Sequence, residues 1–568
     1  MTTTDNDPGD PDVGDAFRAL YTAEWNWRES LRCADEDRPG PDVDHLPPVD
    51  AASQAGRERR WETLSAQLRE IPVERLDARQ QIDYAVYAYQ IRALLDDQRF
   101  REWQMPFNAD TAFWTNLGYD ARAHYGSVEG YANYLSRLRD IPRYFDAHIA
   151  NLRAGLARGF SQPPLVVNGI LPSLRSVIEA GGTANPFHTP FAEMPPAMPE
   201  ARKAALRADA LRSIRDDVIP AYAKLLDFMQ HEYLPRARPT LAAYDLPDGE
   251  AYYQSRIRTY TTLDLTAAQI HRIGLDAIAG IHRQMLDTIK RSGFTGDYAA
   301  FIAFLRSDPQ FVAQTPQRLL ERAAWIAKQI DGRIGNFIGR LPRARFGIDA
   351  VPDDLAPFYT SGRGGIGMGL FNTYDLPARK LYSLPALVLH ECEPGHSTQM
   401  PLAAETADLP DFRRHTFISA YGEGWALYCE YLGVEMGIYT TPYEHFGYLS
   451  YQAWRAARLV VDTGLHALHW TREQAVNYMR ANTALAEREI QTEVTRYIAW
   501  PGQALAYYLG ERDIREQRDR AEAALGARFD LRNFHDAVLA TGSVPLPVLN
   551  RCIDRFIAAG GTSPYADA

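Results

Sequence analysis

The run Leu384-Pro385-Ala386-Leu387-Val388-Leu389 is apolar and ends in His390-Glu391, and two residues later comes Pro394-Gly395, which a regular helix does not carry. Proline lacks the backbone donor and clashes with the preceding turn, while glycine tolerates strained dihedrals, so the chain is expected to bend there. His396 follows at once. A His-Glu pair with a second His close behind is the pattern by which a helix offers two imidazoles to Zn²⁺ and a carboxylate as general base. In that pattern the second His lies at i+4, about 40° round the helix from the first, whereas i+6 lies about 120° off the ligand face. Either the bend returns His396 to the metal or the motif is an accident. The apolar run before it suits a buried helix that delivers His390 to a core-lined site. His231-Glu232 has no second His after it and reads as a surface pair on a helix end.

A third ligand has a candidate in Gly422-Glu423-Gly424-Trp425, far enough downstream for a loop and a returning helix. Two His and one carboxylate from a second helix complete a zinc site and leave its fourth position open. The competing reading makes Glu423 a first-turn acid on a helix whose apolar face is Trp425, Leu427, Tyr431 and Leu432. Glu393, one turn beyond His390, could also replace His396 as ligand, leaving His396 as a proton donor. Cys392 lies off the ligand face and is not expected to act as a nucleophile.

Elsewhere the texture is helical. Helical spacing begins at Ala16, after a polar tail over residues 1–15 that does not resemble a secretory signal. Long amphipathic stretches follow near Gln80–Glu102, Val128–Arg158, Pro199–Glu232 and Ala267–Arg291, the last opened by the capping-box pattern Thr266-x-x-Gln269. Tyr84, Tyr87, Tyr89 and Trp103 are expected in the core. An N-terminal helical lobe over 16–198 is predicted to precede a catalytic lobe over 199–568, with Pro195–Pro199 as a local hinge; one integrated domain of the two is the alternative. With 46% hydrophobic residues the chain can bury one large core. A net charge of −11 gives no basic footprint for nucleic acid or anionic membrane, and no apolar run is long enough to span a bilayer. Cys33, Cys392, Cys429 and Cys552 are isolated and suit a reducing compartment, so a cytoplasmic location is expected.

One region breaks the helical texture: residues 358–373 are Gly-rich with alternating apolar positions. A phosphate loop is disfavoured, because no Gly-Lys-Ser/Thr ending is present. The better expectation is an exposed edge strand around Gly367, Gly369 and Asn372 that holds an extended peptide by backbone hydrogen bonds; a plain hairpin is the competing one. Arg458, Asp462 and His466 recur every four residues on one helical face, as a hydrogen-bonded row or a solvated ladder. Arg455, one turn earlier, could hold a substrate carboxylate.

Taken together, His390-Glu391-x-x-Pro394-Gly395-His396-x-x-Gln399, Glu423-Gly424-Trp425-Ala426, Arg455-x-x-Arg458-Leu459-x-x-Asp462-x-Gly464-x-His466 and Arg496-Tyr497-x-x-x-Pro501-Gly502-Gln503-Ala504 resemble the bacterial domain-of-unknown-function 885 family. The likeness is strongest from about Tyr252 to Leu546. That family is grouped with the gluzincin zinc metallopeptidases, alongside the angiotensin-converting enzyme and thermolysin families. The resemblance implies a mainly α, zincin-like fold with a small β-sheet beside the metal helix and a deep central cleft. It implies Zn²⁺ on His390, His396 and Glu423, with Glu391 as general base. The Arg496-Tyr497 pair resembles the one in the angiotensin-converting enzyme family, which makes Tyr497 the preferred oxyanion donor and Arg496 a substrate contact. Tyr507, Tyr508 and His535 are alternatives that sequence does not rank. The expected reaction is hydrolysis of short peptides. Two other classes stay open: a zinc hydrolase or lyase acting on another amide or C–N bond of a peptide-like small molecule, and a non-catalytic peptide-binding protein on the same scaffold.

Overall fold

The computed structural model describes residues 10–36, 38–353 and 355–565. They form two compact units, one of residues up to 252 together with 498–500, the other of 253–497 together with 501 onward. Both are mainly helical, as the sequence predicts.

In the first unit the expected polar tail is shorter than its reading over 1–15. Residues 1–9 lie outside the described residues, but helix Pro11–Glu29 starts five residues early, because Asp10 caps it and Pro11 supplies a first-turn residue with no N–H to satisfy. Helices Ala78–Phe100 and Val128–Ala157 stand where their periodicity placed them. Tyr87 is fully buried, whereas Tyr84, Tyr89 and Trp103 are half-buried. The predicted helix over Pro199–Glu232 is interrupted by two wide π turns, Ile214–Val218 and Met229–Tyr233. Each is followed by a proline at the second position of the next segment, Pro220 and Pro235. A proline ring crowds the carbonyl four residues before it, and widening that turn relieves the clash without ending the helix. Pro195–Pro199 lies inside this unit.

The second unit is organised by two helix pairs. Ala267–Arg291, opened by the Thr266/Gln269 capping box, packs along Pro442–Ala467. The latter is buried almost all round from Phe446 to His466, so its charged residues are interior ones and not a surface ladder. Ser419–Glu435 crosses Ala506–Leu525 at two glycines. A Cβ on Gly510 would lie 1.9 Å from the Ala420 carbonyl oxygen, and one on Gly424 would lie 2.5 Å from the Gly510 Cα. The backbones touch there, which fixes the depth of the neighbouring Glu423.

A small sheet completes this unit. Its order is β1 (Gly347–Ala350), β3 (Met368–Phe371), β2 (Gly362–Gly365); β1 runs parallel to β3 and β2 antiparallel to it. The strand expected at the edge, Gly367–Asn372, is therefore the central one. Both its sides are paired, and β1 and β2 form the two edges.

The glycine crossing leads to a stability prediction. Gly510→Ala should destabilise the fold by about 1–3 kcal/mol by overpacking it. Gly280→Ala, whose added carbon would meet only the tip of the Arg283 side chain at 3.8 Å, should not. Denaturant unfolding of the two variants checks this.

Candidate metal centre

The motif helix Leu384–Glu391 ends where the sequence requires, and a second helix, His396–Glu405, starts at the second histidine. The bend between them is held from three sides. Trp425 Nε1 donates to the Pro394 carbonyl at 2.8 Å. Ser397 Oγ donates to the carbonyls of Glu391 and Met368, both at 2.9 Å. Gly395 sits with its Cα against the motif helix, where a Cβ would come within 1.9 Å of the His390 oxygen. Any larger residue would push His396 away.

The result is that His390, His396 and Glu423 present their ligand atoms within 4.8 Å of one another. Each imidazole Nε2 lies 3.4 Å from Glu423 Oε2. Bonds of about 2.0–2.1 Å at tetrahedral angles set ligand atoms about 3.4 Å apart, so the spacing fits a zinc-sized ion. Behind the site, His390 Nδ1 meets Glu430 Oε1 at 2.9 Å, and Arg455 Nη2 lies 3.2 Å from the same oxygen. A carboxylate behind a ligating imidazole fixes the tautomer that offers Nε2 to a metal. Burial works against a charged His390, but the bonds to Glu423 and Glu430 lift it to about 9. Burial would likewise raise Glu423, yet the two imidazoles hold it well below the usual carboxylate range. Glu391 is turned toward the sheet, where the Gly364 N–H donates to Oε2 at 2.6 Å.

Glu393 does not join the cluster. It faces Arg345 at 3.7 Å, and burial pushes its carboxyl up to about 7. Cys392 is buried and its thiol is raised well above the ordinary value.

Several expected roles are relocated. Arg455 is 3% exposed, lies over the rings of Tyr451 and Trp454, and braces Glu430, so it is not a free substrate anchor. Tyr497, expected as the oxyanion donor, has a committed hydroxyl. It donates to Glu493 at 2.6 Å and accepts from Trp454 Nε1 and Arg458 Nε, each at 3.0 Å. A phenol has one proton, and this one is used. Tyr507 stands in its place: its ring stacks on His390 with centroids 6.3 Å apart, and its hydroxyl accepts from Arg496 at 3.2 Å. Arg496 thus orients Tyr507, and its Nη2 also bonds Gln503. Tyr508 is raised to about 12 by burial.

Asn372 donates to the carbonyls of Ala356, Tyr359 and Thr360 and accepts from Tyr374, so it ties a loop rather than a substrate. Gly369 lies in β3, and Gly367 occupies the β2–β3 turn with φ +81°. Arg458, Asp462 and His466 share a helix face, but each forms hydrogen bonds to other elements. Arg458 holds Glu493 and Tyr497, Asp462 accepts from Tyr253 and the Gly502 N–H, and His466 meets the Tyr497 carbonyl. His535 is buried between Tyr428 and the Phe337 carbonyl, is pushed down to about 3, and packs on Trp425, two steps from the metal ligands.

Glu430 escaped the sequence reading although a signal was available, since it lies seven residues after Glu423 and returns to nearly the same helix face. Phe417, 45% exposed with its ring centroid 6.1 Å from that of His396, carried none.

The profile of a family described as bacterial protein of unknown function (DUF885) matches residues 35–553. No curated protein matches the sequence. Among solved structures, a candidate lipoprotein from Colwellia psychrerythraea is 25% identical with a TM-score of 0.88, over 96% of this chain and 99% of that one. A candidate lipoprotein of unknown function from Shewanella oneidensis shares the fold at 18% identity and a TM-score of 0.69, over 95% and 99%.

Two predictions follow from the site. Glu430→Gln should weaken zinc binding about 10–100-fold, and His396→Ala should weaken it further; competition with a chromogenic chelator measures both. The second concerns Asp462, which burial raises to about 7. A raised acid lends stability that is complete below its ordinary range near 4 and is lost as pH climbs through 7. Asp462→Asn keeps the neutral form, so its stability relative to the parent should rise between pH 4 and 7, by at most about 4 kcal/mol, and then level off.

Proposed function

The chain belongs to the DUF885 family of bacterial proteins of unknown function, and from that premise we propose that it is a gluzincin-like zinc metallopeptidase of short peptides. The observation that carries the reading is the convergence of His390, His396 and Glu423 in front of a buried Glu430, with the Glu391 carboxylate next in sequence to a ligand. Two imidazoles and one carboxylate, with an orienting carboxylate behind, make a donor set suited to zinc with an open position. Zinc held there supplies Lewis acidity toward water and toward the oxygen of a scissile carbonyl.

The remaining steps belong to the chain. Glu391, steadied by Gly364, takes the proton of the attacking water and passes it to the leaving nitrogen. Tyr507, held by Arg496, donates to the developing oxyanion. The peptide lies along β2. Alternate residues of an edge strand point their backbone groups away from the neighbour, and on β2 these are Gly362 and Gly364, since Ser361 is bonded inward to Asn372. Glycine at both positions lets a substrate backbone come close.

On location, four free cysteines favour a reducing compartment such as the cytoplasm, while both solved neighbours carry a lipoprotein name. Cell fractionation decides between them. Among the described residues no helix is long and apolar enough to cross a membrane.

In a digest of a short-peptide library, zinc-loaded protein should cleave. Glu391→Gln should lose about 10²–10⁴ in rate while keeping its zinc. Tyr507→Phe should lower kcat about 10²–10³-fold, whereas Tyr497→Phe should act on stability. A zinc-loaded protein that cleaves no short peptide would shift the assignment to a non-peptide amide or C–N bond.

A further inference from the structure

Beside the motif helix lies a small, partly open pocket, with an accessible volume of about 30 Å³, that the mechanism above does not use. One wall holds Leu384 and Leu387, the latter one turn before Glu391 on the motif helix, and another holds Ser361, the residue just before β2. Arg379, Lys380 and Glu489 supply its charge.

Its place relative to the scissile bond follows from the strand. Glu391 meets the edge of β2 at Gly364. Ser361 is three residues nearer the strand's start, about 10 Å away at 3.3–3.4 Å per residue. Antiparallel pairing is the commoner and slightly stronger mode, and in it that direction leads toward the C-terminus of an added peptide. The pocket then faces the first residues after the scissile bond.

The charge balance sets what it takes. Among the described residues neither Arg379 nor Lys380 lies within salt-bridge distance of a carboxylate. Arg379 Nη1 donates to Ser361 Oγ at 3.0 Å, its Nε is buried without an acceptor, and Lys380 Nζ donates to the Arg306 carbonyl. Glu489 accepts from the same Ser361 hydroxyl at 3.0 Å; burial raises its carboxyl while the Arg379 charge pulls it back down. Two cations against one acid, with an orphaned guanidinium N–H, favour an anion.

Resting on the peptidase reading, we propose that this pocket binds a carboxylate carried by the substrate on the leaving-group side of the scissile bond, with Arg379 as its principal partner. That carboxylate has two sources: the free C-terminus of a peptide ending one or two residues beyond the cut, or an acidic side chain there.

The test compares matched peptides on the zinc-loaded enzyme: C-terminal acid against C-terminal amide, and Glu against Gln after the cut. Arg379→Met is expected to raise KM about tenfold or more for the carboxylate-bearing member of one pair, with kcat and zinc content little changed and no effect on its neutral counterpart. Arg379→Lys should recover part of the loss. Whichever pair responds identifies the source. Equal loss on charged and neutral substrates would overturn the proposal, as would a preference for basic residues abolished by Glu489→Gln. Should no peptide be cleaved, calorimetry with N-acetyl-dipeptide acids and amides on Glu391→Gln still decides. Binding of the acids that depends on Arg379 would uphold the pocket while the peptidase reading fails, and equal binding of acid and amide would overturn it.

Discussion

Glu430 is fully buried, and a carboxylate there is tolerated only if positive charge and hydrogen bonds replace the water it has lost. The chain meets that demand on Oε1, with His390 and Arg455, while Oε2 is buried without a hydrogen-bond donor among the described residues. Arg455 is in turn buried and held against Tyr451 and Trp454, so the guanidinium cannot swing away. The consequence for His390 is that its Nδ1 is committed and its Nε2 must point forward, toward Glu423. The candidate ligands therefore inherit their orientation from an ion pair in the core, and the Gly424–Gly510 contact sets how far forward the Glu423 helix stands.

A second buried network performs the same service for the opposite side of the site. Glu493 would be raised by burial, but Arg458 and Arg496 hold it down near 2, and its carboxylate accepts a hydrogen bond from the Tyr497 hydroxyl. Arg458 also lies 4.3 Å over the Tyr507 ring, whose other neighbours are His390 and Arg496. Tyr497 is thus a structural member that locks Arg458, and Arg458 in turn backs the tyrosine nearest the ligands. The Arg458, Asp462 and His466 face does not talk along itself. It grips the end of the 487–499 helix and the turn at Gly502, and so fixes where Arg496 can reach.

Much of this was legible in the sequence, for identifiable reasons. Helix positions followed from periodicity and capping, as at Thr266, and the bend followed from what proline and glycine do to a backbone. The convergence of His390, His396 and Glu423 could be anticipated because ligand chemistry restricts residue type and spacing so narrowly. Strand order could not: three strands of four residues each leave no signal of which one is central, and the edges fall on β1 and β2 instead of β3. Nor could the division between two tyrosines ten residues apart, Tyr497 and Tyr507. Motif likeness pointed to Tyr497, but whether a hydroxyl is available depends on partners brought in by helices far along the chain, here Trp454, Arg458 and Glu493. Arg455 failed as a substrate anchor for the same reason, since its partner Glu430 is defined only by the fold.

The charge balance of the finished site bears on what it is built to hold. Glu391, Glu423 and Glu430 bring three carboxylates into a region where each is at most 13% exposed at the side chain or 9% overall, and among the described residues Arg455 is the one guanidinium paired with them. With neutral imidazoles the group carries two negative charges in excess. A low-dielectric site cannot keep such an excess uncompensated. Lifting His390 to about 9 is a partial answer, because it adds one positive charge by taking up a proton. A divalent cation answers fully, neutralising the excess and freeing both Nε2 atoms to act as donors. On the proposed reading, the same carboxylates that would make an apolar core unstable are the feature that favours a doubly charged ion over a proton, at a place among the described residues where three candidate ligand atoms stand within 4.8 Å of one another.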